Sequence, residues 1–303
     1  MRQLEAVLDR CQFLPWVNVI AADATGEALY GDHSVIPPVT DQLTAACIPA
    51  PFKPLYATTG LAVLDGSTSS CAFGTDPDAA VPGIFGPSRL PVRFRSDYVT
   101  NSNDSYWLAN PQQPLTGFLR IIGDEQTPRS LRTRLGLLQV QQRLAGTDGL
   151  PGTGFTTANL WQVEFGDRVH GGELVRDDLV ALCTPHPTAT ASNGASVDLS
   201  AACAALRSWD LHANLDSRGA HVFREFASAG GIRFADAFVP TDAVNTPRHL
   251  AVADPRVLTA LADAVQKLTG IPPDAPLGSI QSEPRRAERI PIHSDATRPG
   301  RST

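Results

Sequence analysis

The sequence predicts an α+β protein, with strands mostly in the first 100 residues and a helix-rich C-terminal half. Residues Val92 to Thr100 alternate apolar and polar side chains, as a half-buried strand does. Leucines recur at helical spacing from Leu131 to about Leu144. A third segment begins with Asp254-Pro255, which is a helix start signal, carries an apolar face and ends at Gly270.

The elements before residue 100 are short. Residues Arg2 to Cys11 predict the last turns of an amphipathic helix. Two strands are predicted within Trp16 to Asp32, around the turn Ala24-Thr25-Gly26. Residues Pro37 to Pro91 are rich in Pro, Gly, Asp and Ser, which predicts long structured loops with few regular elements.

Helices dominate the prediction for residues 101–293. One helix is expected to have Pro128 in its first turn. Residues Thr156 to Cys183 predict a second helical stretch that is interrupted near Gly171-Gly172. A polar loop over Thr184 to Ala195 then precedes a third helix over Val197 to Trp209.

Composition limits the class of protein. With 303 residues and 42% apolar residues, the chain can bury the core of one large domain or of two small ones. Its 25 basic and 31 acidic residues give a net charge of −6 without a Lys/Arg run, which argues against a nucleic-acid or anionic-membrane partner. No apolar run approaches the roughly 20 residues that span a bilayer.

The five cysteines have no CxxC spacing, which argues against a zinc site or a redox motif. Cys47 can pair with Cys71, and Cys183 with Cys203, but the alternative that all five are buried thiols stays open. The sequence also has no HExxH, GxSxG, phosphate-binding or dinucleotide-binding motif.

The segment from Tyr98 to Gly136 carries the strongest chemical signal. It ends a strand in a cluster that includes Asn101 and Asn103, and it then places Arg129 and Arg132 at a helix start. Amide and guanidinium donors that lie close together can stabilise an oxyanion. This segment is therefore the candidate site.

A structural interpretation of the same residues also stays open. Asn101 and Asn103 can form only Asx turns at the strand end, since short amide side chains often bond to nearby backbone groups. Arg129 can pair with Asp124 or Glu125 as an ordinary surface ion pair.

Several short motifs in the sequence carry a family resemblance. They are NSNDSYWLANP, RSLRTRLGL, the hairpin from Trp16 to Asp32, the Trp-Asp and Ser-Arg-Gly-Ala words of residues 201–226, Thr246-Pro247-Arg248 and Ile290-Pro291-Ile292-His293. The chain resembles the penicillin acylase (penicillin amidase) family of N-terminal-nucleophile amidohydrolases over nearly its whole length. The resemblance is greatest to the branch of acyl-homoserine-lactone acylases and aculeacin-type lipopeptide deacylases.

The resemblance implies a fold and a place in a larger protein. Residues 1–293 are expected to be the C-terminal portion of the β chain, forming part of the αββα sheet sandwich of N-terminal-nucleophile hydrolases. The family continues after Ile-Pro-Ile-His with glycines and a final strand. Here residues 294–303 are polar and non-periodic, which predicts a disordered tail.

The resemblance also implies an activity. Family precursors cleave themselves so that a Ser starts the β chain, where its own α-amino group acts as the general base. This sequence starts inside that β chain, so the nucleophile, the α chain and the N-terminal part of the β chain are expected to lie elsewhere. The implied substrate is a small N-acyl molecule: an acyl-homoserine lactone, a lipopeptide or a penicillin side chain.

This chain alone is accordingly expected to be inactive. A different class of function stays open as the alternative, namely a non-catalytic remnant or an acyl-binding accessory domain. The sequence does not decide between a broken gene and a split one.

The resemblance also assigns roles to residues. Asn103 best matches the Asn that completes the family's oxyanion hole, with Asn101 second, and Arg129 best matches the positioning Arg, with Arg132 second. No cofactor is implied. Calcium belongs to the intact family enzyme, whose ligands lie mainly in regions without a counterpart here, so no metal is assigned.

Export is implied as well. Family members are periplasmic or secreted, although this chain shows no signal peptide of its own. An oxidising compartment favours the two disulfides.

Overall fold

The structure is a computed structural model that describes residues 1–12, 14–15, 17–286 and 288–294. The chain divides into two compact units, Met1–Thr127 and Pro128–Thr303. Of the predicted tail over 294–303, all but Ser294 lies outside the described residues, as does Trp16 of the predicted hairpin.

A three-stranded antiparallel sheet lies in the first unit. Its strands are β1 (Val19–Ala22), β2 (Ala28–Gly31) and β3 (Val92–Arg95), in the order β1-β2-β3. The predicted hairpin is therefore confirmed, and Gly26 turns it with a φ of 86° that glycine adopts without steric cost. Every residue of the central strand β2 is buried.

Three helices also belong to this unit: α1 (Arg2–Cys11), α2 (Asp41–Cys47) and α3 (Lys53–Thr59). The first was predicted, whereas the other two lie where long loops were expected. Each of these two has seven residues, too few to show helical periodicity between flanking prolines. Local signals start and stop them, because the Thr40 side chain accepts a hydrogen bond from the Leu43 N–H and Gly60 ends α3 with a φ of 74°.

The second unit is built mainly of helices. They are α4 (Leu131–Ala145), α5 (Thr157–Glu164), α6 (His170–Cys183), α7 (Ser200–Ser208), α8 (Ala220–Ser228), α9 (Pro255–Lys267) and α10 (Leu277–Ile280). Single 3₁₀ turns across the chain lie at Ala50–Phe52, Ser69–Cys71, Pro87–Arg89, Tyr106–Leu108 and Pro240–Asp242.

Helices α6 to α9 enclose the core of this unit, with apolar side chains that are fully buried, including Leu179, Leu206, Val222, Phe226 and Leu261. Asp254 caps α9 by accepting the Arg256 N–H, as the sequence predicted. Helix α4 begins at Leu131, three residues after Pro128, because Ser130 provides its cap.

The break in the predicted helix over 156–183 lies at residues 165–169, before Gly171-Gly172 rather than at these glycines. Both glycines lie inside α6, where a Cβ on Gly172 would come within 2.6 Å of the Trp209 ring. They allow close packing and do not interrupt the helix.

Among the described residues after position 187 there are four short strands, which corrects the prediction that strands lie mostly in the first 100 residues. The hairpin of β4 (Thr188–Thr190) and β5 (Ser196–Asp198) replaces part of a predicted loop and the start of a predicted helix. The strands β6 (Ser282–Arg285) and β7 (Glu288–Pro291) form a second hairpin. Three- and four-residue strands offer too few positions for a period of two to be visible.

The mixed helix and strand content is confirmed, and the αββα sandwich remains a prediction. Both predicted disulfides are present: Cys47–Cys71 joins α2 to the turn at Ser69–Cys71, and Cys183–Cys203 joins α6 to α7. Within the described residues, no helix combines the length and the apolar character that crossing a bilayer would need.

Removing the buried bridge by Cys183→Ser/Cys203→Ser is expected to lower the free energy of unfolding by about 3 kcal/mol, since the bridge closes a loop across 20 positions. Urea denaturation followed by the fluorescence of buried Trp209 measures the change. Cys11→Ser, at the exposed free cysteine, is the control and should leave the midpoint in place. An unchanged midpoint in the double variant would contradict the expectation.

Candidate functional site

The end of β3 is fixed by an ion pair. The Arg95 guanidinium donates to both Asp97 carboxylate oxygens, at 2.8 and 2.6 Å, and this pairing lowers the pKa of Asp97 to about 2. Asp97 also accepts the Tyr98 N–H, and buried Asn110 donates its side-chain amide to the Tyr98 carbonyl at 3.0 Å. These contacts fix the backbone between the end of β3 and the segment that contains Asn101 and Asn103.

Asn101 and Asn103 form one turn. The Asn101 Oδ1 accepts the Asn103 backbone N–H at 2.8 Å, which is an Asx turn. Asn103 has a φ of 52°, in the left-handed region that Asn tolerates better than most residues. Its side chain is exposed, and its amide makes no hydrogen bond to any residue that the structure describes. The turn therefore fixes the Asn103 backbone and leaves its amide available.

The side chain of Asn101 approaches the buried hydroxyl of Tyr30. Tyr30 of β2 is almost fully buried, and its hydroxyl has no hydrogen-bond partner among the described residues. Burial raises the pKa of Tyr30, the nearby charge of Asp32 adds to the rise, and the approach of the Asn101 side chain opposes it. Burial likewise raises the pKa of Asp32. Asn101 is thus engaged locally, whereas Asn103 is not.

Asp124 and Glu125 both accept hydrogen bonds from groups of the first unit. The Asp124 carboxylate accepts the Arg120 Nε–H at 3.0 Å. Glu125 accepts the hydroxyl of buried Tyr106 at 2.7 Å, together with the backbone N–H groups of Gly117 and Phe118. Burial, followed by this contact with Glu125, raises the pKa of the Tyr106 hydroxyl.

The arginines of RSLRTRLGL have different surroundings. Arg129 is half-buried before α4, and Arg132 is exposed in its first turn. Arg134 is buried, and it donates its Nε–H to the Val244 carbonyl at 2.8 Å and an NH1 hydrogen to the Pro247 carbonyl at 2.9 Å. Burial lowers the pKa of Arg134.

Arg134 connects two of the motifs that carried the family resemblance, RSLRTRLGL and Thr246-Pro247-Arg248, through its hydrogen bond to Pro247. Sequence reasoning did not single it out, because nothing in the pattern distinguishes an arginine that will be buried from its exposed neighbours. Asn101 and Asn103 belong to the first unit, and Arg129 and Arg132 to the second. The catalytic roles of all four residues stay predictions.

Two other family motifs, Trp-Asp and Ser-Arg-Gly-Ala, pack together in the second unit. The Asp210 carboxylate accepts the hydroxyl of buried Ser217 at 2.9 Å, and the Trp209 indole N–H donates to the His212 carbonyl at 2.8 Å. A Cβ on Gly219, whose φ is 90°, would come within 2.9 Å of the Ala205 carbonyl oxygen. The Trp-Asp and Ser-Arg-Gly-Ala motifs thus take part in the packing of this unit.

A polar cluster at the start of α6 was missed by the sequence reasoning. Arg168 donates two hydrogen bonds to the Glu173 carboxylate, at 2.7 and 3.1 Å, and His170 Nδ1 lies 3.0 Å from Glu173 Oε2. Burial opposes ionisation of Glu173, but the contacts with His170 and Arg168 outweigh it and lower the pKa to about 2. The helical i, i+3 spacing of His170 and Glu173 was the available signal.

A metal site is not evident in the part of the chain that the structure describes, where no three His, Cys, Asp or Glu side chains are grouped to hold an ion.

Comparison with known proteins identifies the family. The family model for penicillin amidase matches residues 1–296. This chain belongs to the penicillin amidase family. The resemblance found in the sequence is thereby confirmed, and with it the description of the chain as related to hydrolases that act as acylases.

The penicillin amidase relatives are longer than this chain. The chain is 70% identical over 294 residues to the aculeacin-A acylase of Actinoplanes utahensis, covering 97% of this chain and 37% of that protein. It is 35% identical over 305 residues to an acyl-homoserine lactone acylase PvdQ of Pseudomonas fluorescens, covering 97% of this chain and 36% of the relative. A PvdQ of Pseudomonas putida is 38% identical over 253 residues, covering 82% of this chain and 30% of the relative. The chain thus spans between 30% and 37% of the length of these relatives.

Arg134→Met is expected to lower the free energy of unfolding by about 2–4 kcal/mol, because the buried Val244 carbonyl and the half-buried Pro247 carbonyl lose their donor. Chemical denaturation measures this loss. Arg248→Met, at an exposed arginine of the loop that Arg134 contacts, should change the stability by no more than about 0.5 kcal/mol. Equal effects of the two substitutions would contradict the anchoring role.

Acid is expected to destabilise the second unit through Glu173. Its pKa is about 2 when folded against 4.5 ordinarily, so the unfolded chain binds the proton first, and the stabilisation present above pH 4.5 is lost as the pH falls towards 2. After discount for partial solvent screening, the loss is about 1–2 kcal/mol.

Denaturation curves between pH 6 and pH 2 measure this loss. Glu173→Gln should flatten the pH dependence, whereas Glu164→Gln, at an exposed glutamate of α5, should not. A pH dependence that survives Glu173→Gln unchanged would refute the assignment.

Proposed function

We propose that this chain forms part of an amidohydrolase that cleaves the linear amide bond of an N-acyl substrate. The supporting observation is its 70% identity to an aculeacin-A acylase over 97% of the chain. The substrate class is an acyl-homoserine lactone or a lipopeptide, by analogy with the names of the relatives. Penicillin side chains are the third candidate, from the family description.

The nucleophile is supplied by polypeptide outside these 303 residues. The hydroxyl of a chain-terminal Ser attacks the amide carbonyl, and the α-amino group of that Ser accepts the proton. Collapse of the tetrahedral intermediate breaks the C–N bond, and the leaving amine takes the proton. Water then attacks the acyl ester, releases the carboxylic acid and restores the Ser. The share of the relatives that this chain covers, 37% and 36%, is in keeping with such a larger enzyme.

Asn103 donates its side-chain amide to the oxyanion of the tetrahedral intermediate. Its amide is exposed and makes no hydrogen bond in the described structure, while the Asx turn to Asn101 holds its backbone. Asn101 is the weaker candidate because its Oδ1 forms that turn and its side chain approaches Tyr30. One positioned amide donor contributes roughly 3–4 kcal/mol to such transition states.

Arg129 positions the reacting groups from the segment that precedes α4, with Arg132 as the second candidate. A guanidinium group suits this role because it stays charged and presents several donors in fixed geometry. The α chain and the N-terminal part of the β chain are the proposed protein partners. The enzyme works outside the cytosol, in the periplasm or after secretion, in line with the two disulfides.

The test is made in the assembled enzyme with an N-acyl-homoserine lactone and a lipopeptide as substrates. Asn103→Gly is expected to lower kcat by about 10²–10³ with little change in KM, because it removes an interaction that strengthens in the transition state. Glycine keeps the positive φ of this position, so the loss reports the amide and not the backbone.

The matched control is Asn193→Gly. Asn193 is also exposed, and its Oδ1 also accepts a backbone N–H two residues later, from Ala195. A kcat for Asn103→Gly equal to that of the control would contradict the proposal that Asn103 stabilises the oxyanion. Turnover by the 303-residue chain alone would refute the proposal that the nucleophile comes from elsewhere, and acyl-ligand binding by an inactive assembly would favour an accessory binding domain.

A further inference from the structure

Helix α5 in the second unit turns its apolar side chains towards solvent. None of its eight residues is buried. The exposed fractions are 51% for Leu160 and 62% for Trp161, and 48% for Phe165, which directly follows the helix. A helix at a protein surface normally directs such residues inwards. We call Leu160, Trp161 and Phe165 the α5 face.

Polar contacts hold this helix in place. Thr156 and Asn159 form a reciprocal capping box, and the Asn159 amide also donates to the Gly154 carbonyl at 3.0 Å. The Gln139 amide of α4 donates to the Val163 carbonyl at 3.4 Å. An isolated helix of eight residues is unstable in water, so α5 depends on contacts beyond its own hydrogen bonds.

The rings of the α5 face pack against one another. Trp161 and Phe165 stack with their centroids 4.7 Å apart and their planes 26° apart, and the His293 ring lies 5.9 Å from that of Phe165. His293 Nδ1 lies 2.5 Å from Oδ2 of Asp167, whose carboxylate is 7% exposed. Such preorganisation reduces the entropy lost when a surface binds.

We propose that the α5 face docks onto an apolar pocket in a part of the acylase that the relatives have and this chain does not match. The inference rests on the proposed function, because it takes the partner to be the remainder of that enzyme. The chain matches only 37% of the length of the aculeacin-A acylase, so most of that relative is available to cover the face.

The composition of the α5 face fits an interface. Trp is enriched among the residues that dominate binding energy, and Phe is enriched in the buried centres of interfaces. The exposed Glu164 at the edge supplies the charged rim that such interfaces usually have. Contiguous exposed apolar side chains of this kind mark interaction sites in soluble proteins.

Co-expression tests the proposal. This chain is produced with tagged segments of the Actinoplanes utahensis aculeacin-A acylase that lie outside the matched region, and the amount recovered with the tag is measured. The double variant Trp161→Ser/Phe165→Ser is expected to reduce recovery about tenfold or more. Trp161→Phe/Phe165→Leu, which keeps an apolar surface, should stay within about threefold of the parent chain.

Phe73→Ser is the matched control. Phe73 is 53% exposed, which is close to the exposure of Phe165, but it lies in the first unit. Its substitution should change recovery by less than about twofold.

Fluorescence quenching gives a second measurement. Trp161 is the only indole that differs between the parent chain and Trp161→Phe, so the difference in acrylamide quenching between the two isolates this exposed side chain. This difference should be present in the free chain and lost in the complex. A difference that persists in the complex would overturn the proposal.

Three other outcomes would also overturn it. The serine double variant could associate as well as the parent chain, or the parent chain could fail to associate at all. Alternatively, sedimentation could show self-association that the serine substitutions abolish, which would make the occupant a second copy. Hydrolysis is scored separately: a complex that needs the α5 face but is inactive refutes only the proposed function, whereas an active assembly insensitive to the serine substitutions refutes only the docking.

Discussion

The second unit depends on how closely three helices approach Trp209. Its ring lies 4.9 Å from that of Phe223 on α8, and any side chain at Gly172 of α6 would collide with it. Gly219, at the start of α8, meets the Trp209 Cβ and the end of α7 in the same way. The indole N–H is bonded as well, so the ring is fixed in orientation and not only in depth.

The same packing extends to α4. The position of Gly171 next to Leu131 brings α6 against the first turn of α4, the helix that follows Arg129. Arg176 adds a hydrogen bond to the Trp209 carbonyl at 2.9 Å. The position of Arg129 within its unit thus depends on core packing. Gly171 and Gly172 allow this packing because they have no side chain.

Buried arginines organise the segments that have little apolar content. Arg143 at the end of α4 is fully buried and donates to Asp148 at 2.9 Å and to the Gly152 carbonyl, which gathers the glycine-rich loop after the helix. Arg134 does the same for the loop at Val244 and Pro247. A planar guanidinium reaches several acceptors at fixed angles, which a lysine cannot do.

The sequence predicted the features that have local signals. The hairpin around Gly26, the cap of α9 at Asp254 and both disulfide pairings follow from residues close in sequence or from the family resemblance, and the structure has all of them. Helices α2 and α3 and the hairpin at Thr188 were missed because elements of three to seven residues are specified by tertiary packing more than by periodicity.

The candidate site was predictable only in part, for the same physical reason. The Asx turn of Asn101 is a local preference of its side chain. The buried Tyr30 hydroxyl and the hydrogen bond from Tyr106 to Glu125 involve residues that are distant in the sequence of the first unit. No local sequence pattern encodes these contacts. The choice between Arg129 and Arg132 as the candidate for the family arginine depends on such long-range placement as well.

The disulfide connectivity bears on synthesis. After Cys11, each cysteine pairs with the next one to be translated, across separations of 24 and 20 residues. At ordinary rates of translation the two partners of each bridge leave the ribosome within about 1–5 seconds of each other. Each bridge lies within one unit and can therefore close without waiting for the other unit. The thiol of Cys11 emerges before the other four cysteines of this chain, and a bridge from Cys11 to Cys47 would prevent the pairing of Cys47 with Cys71.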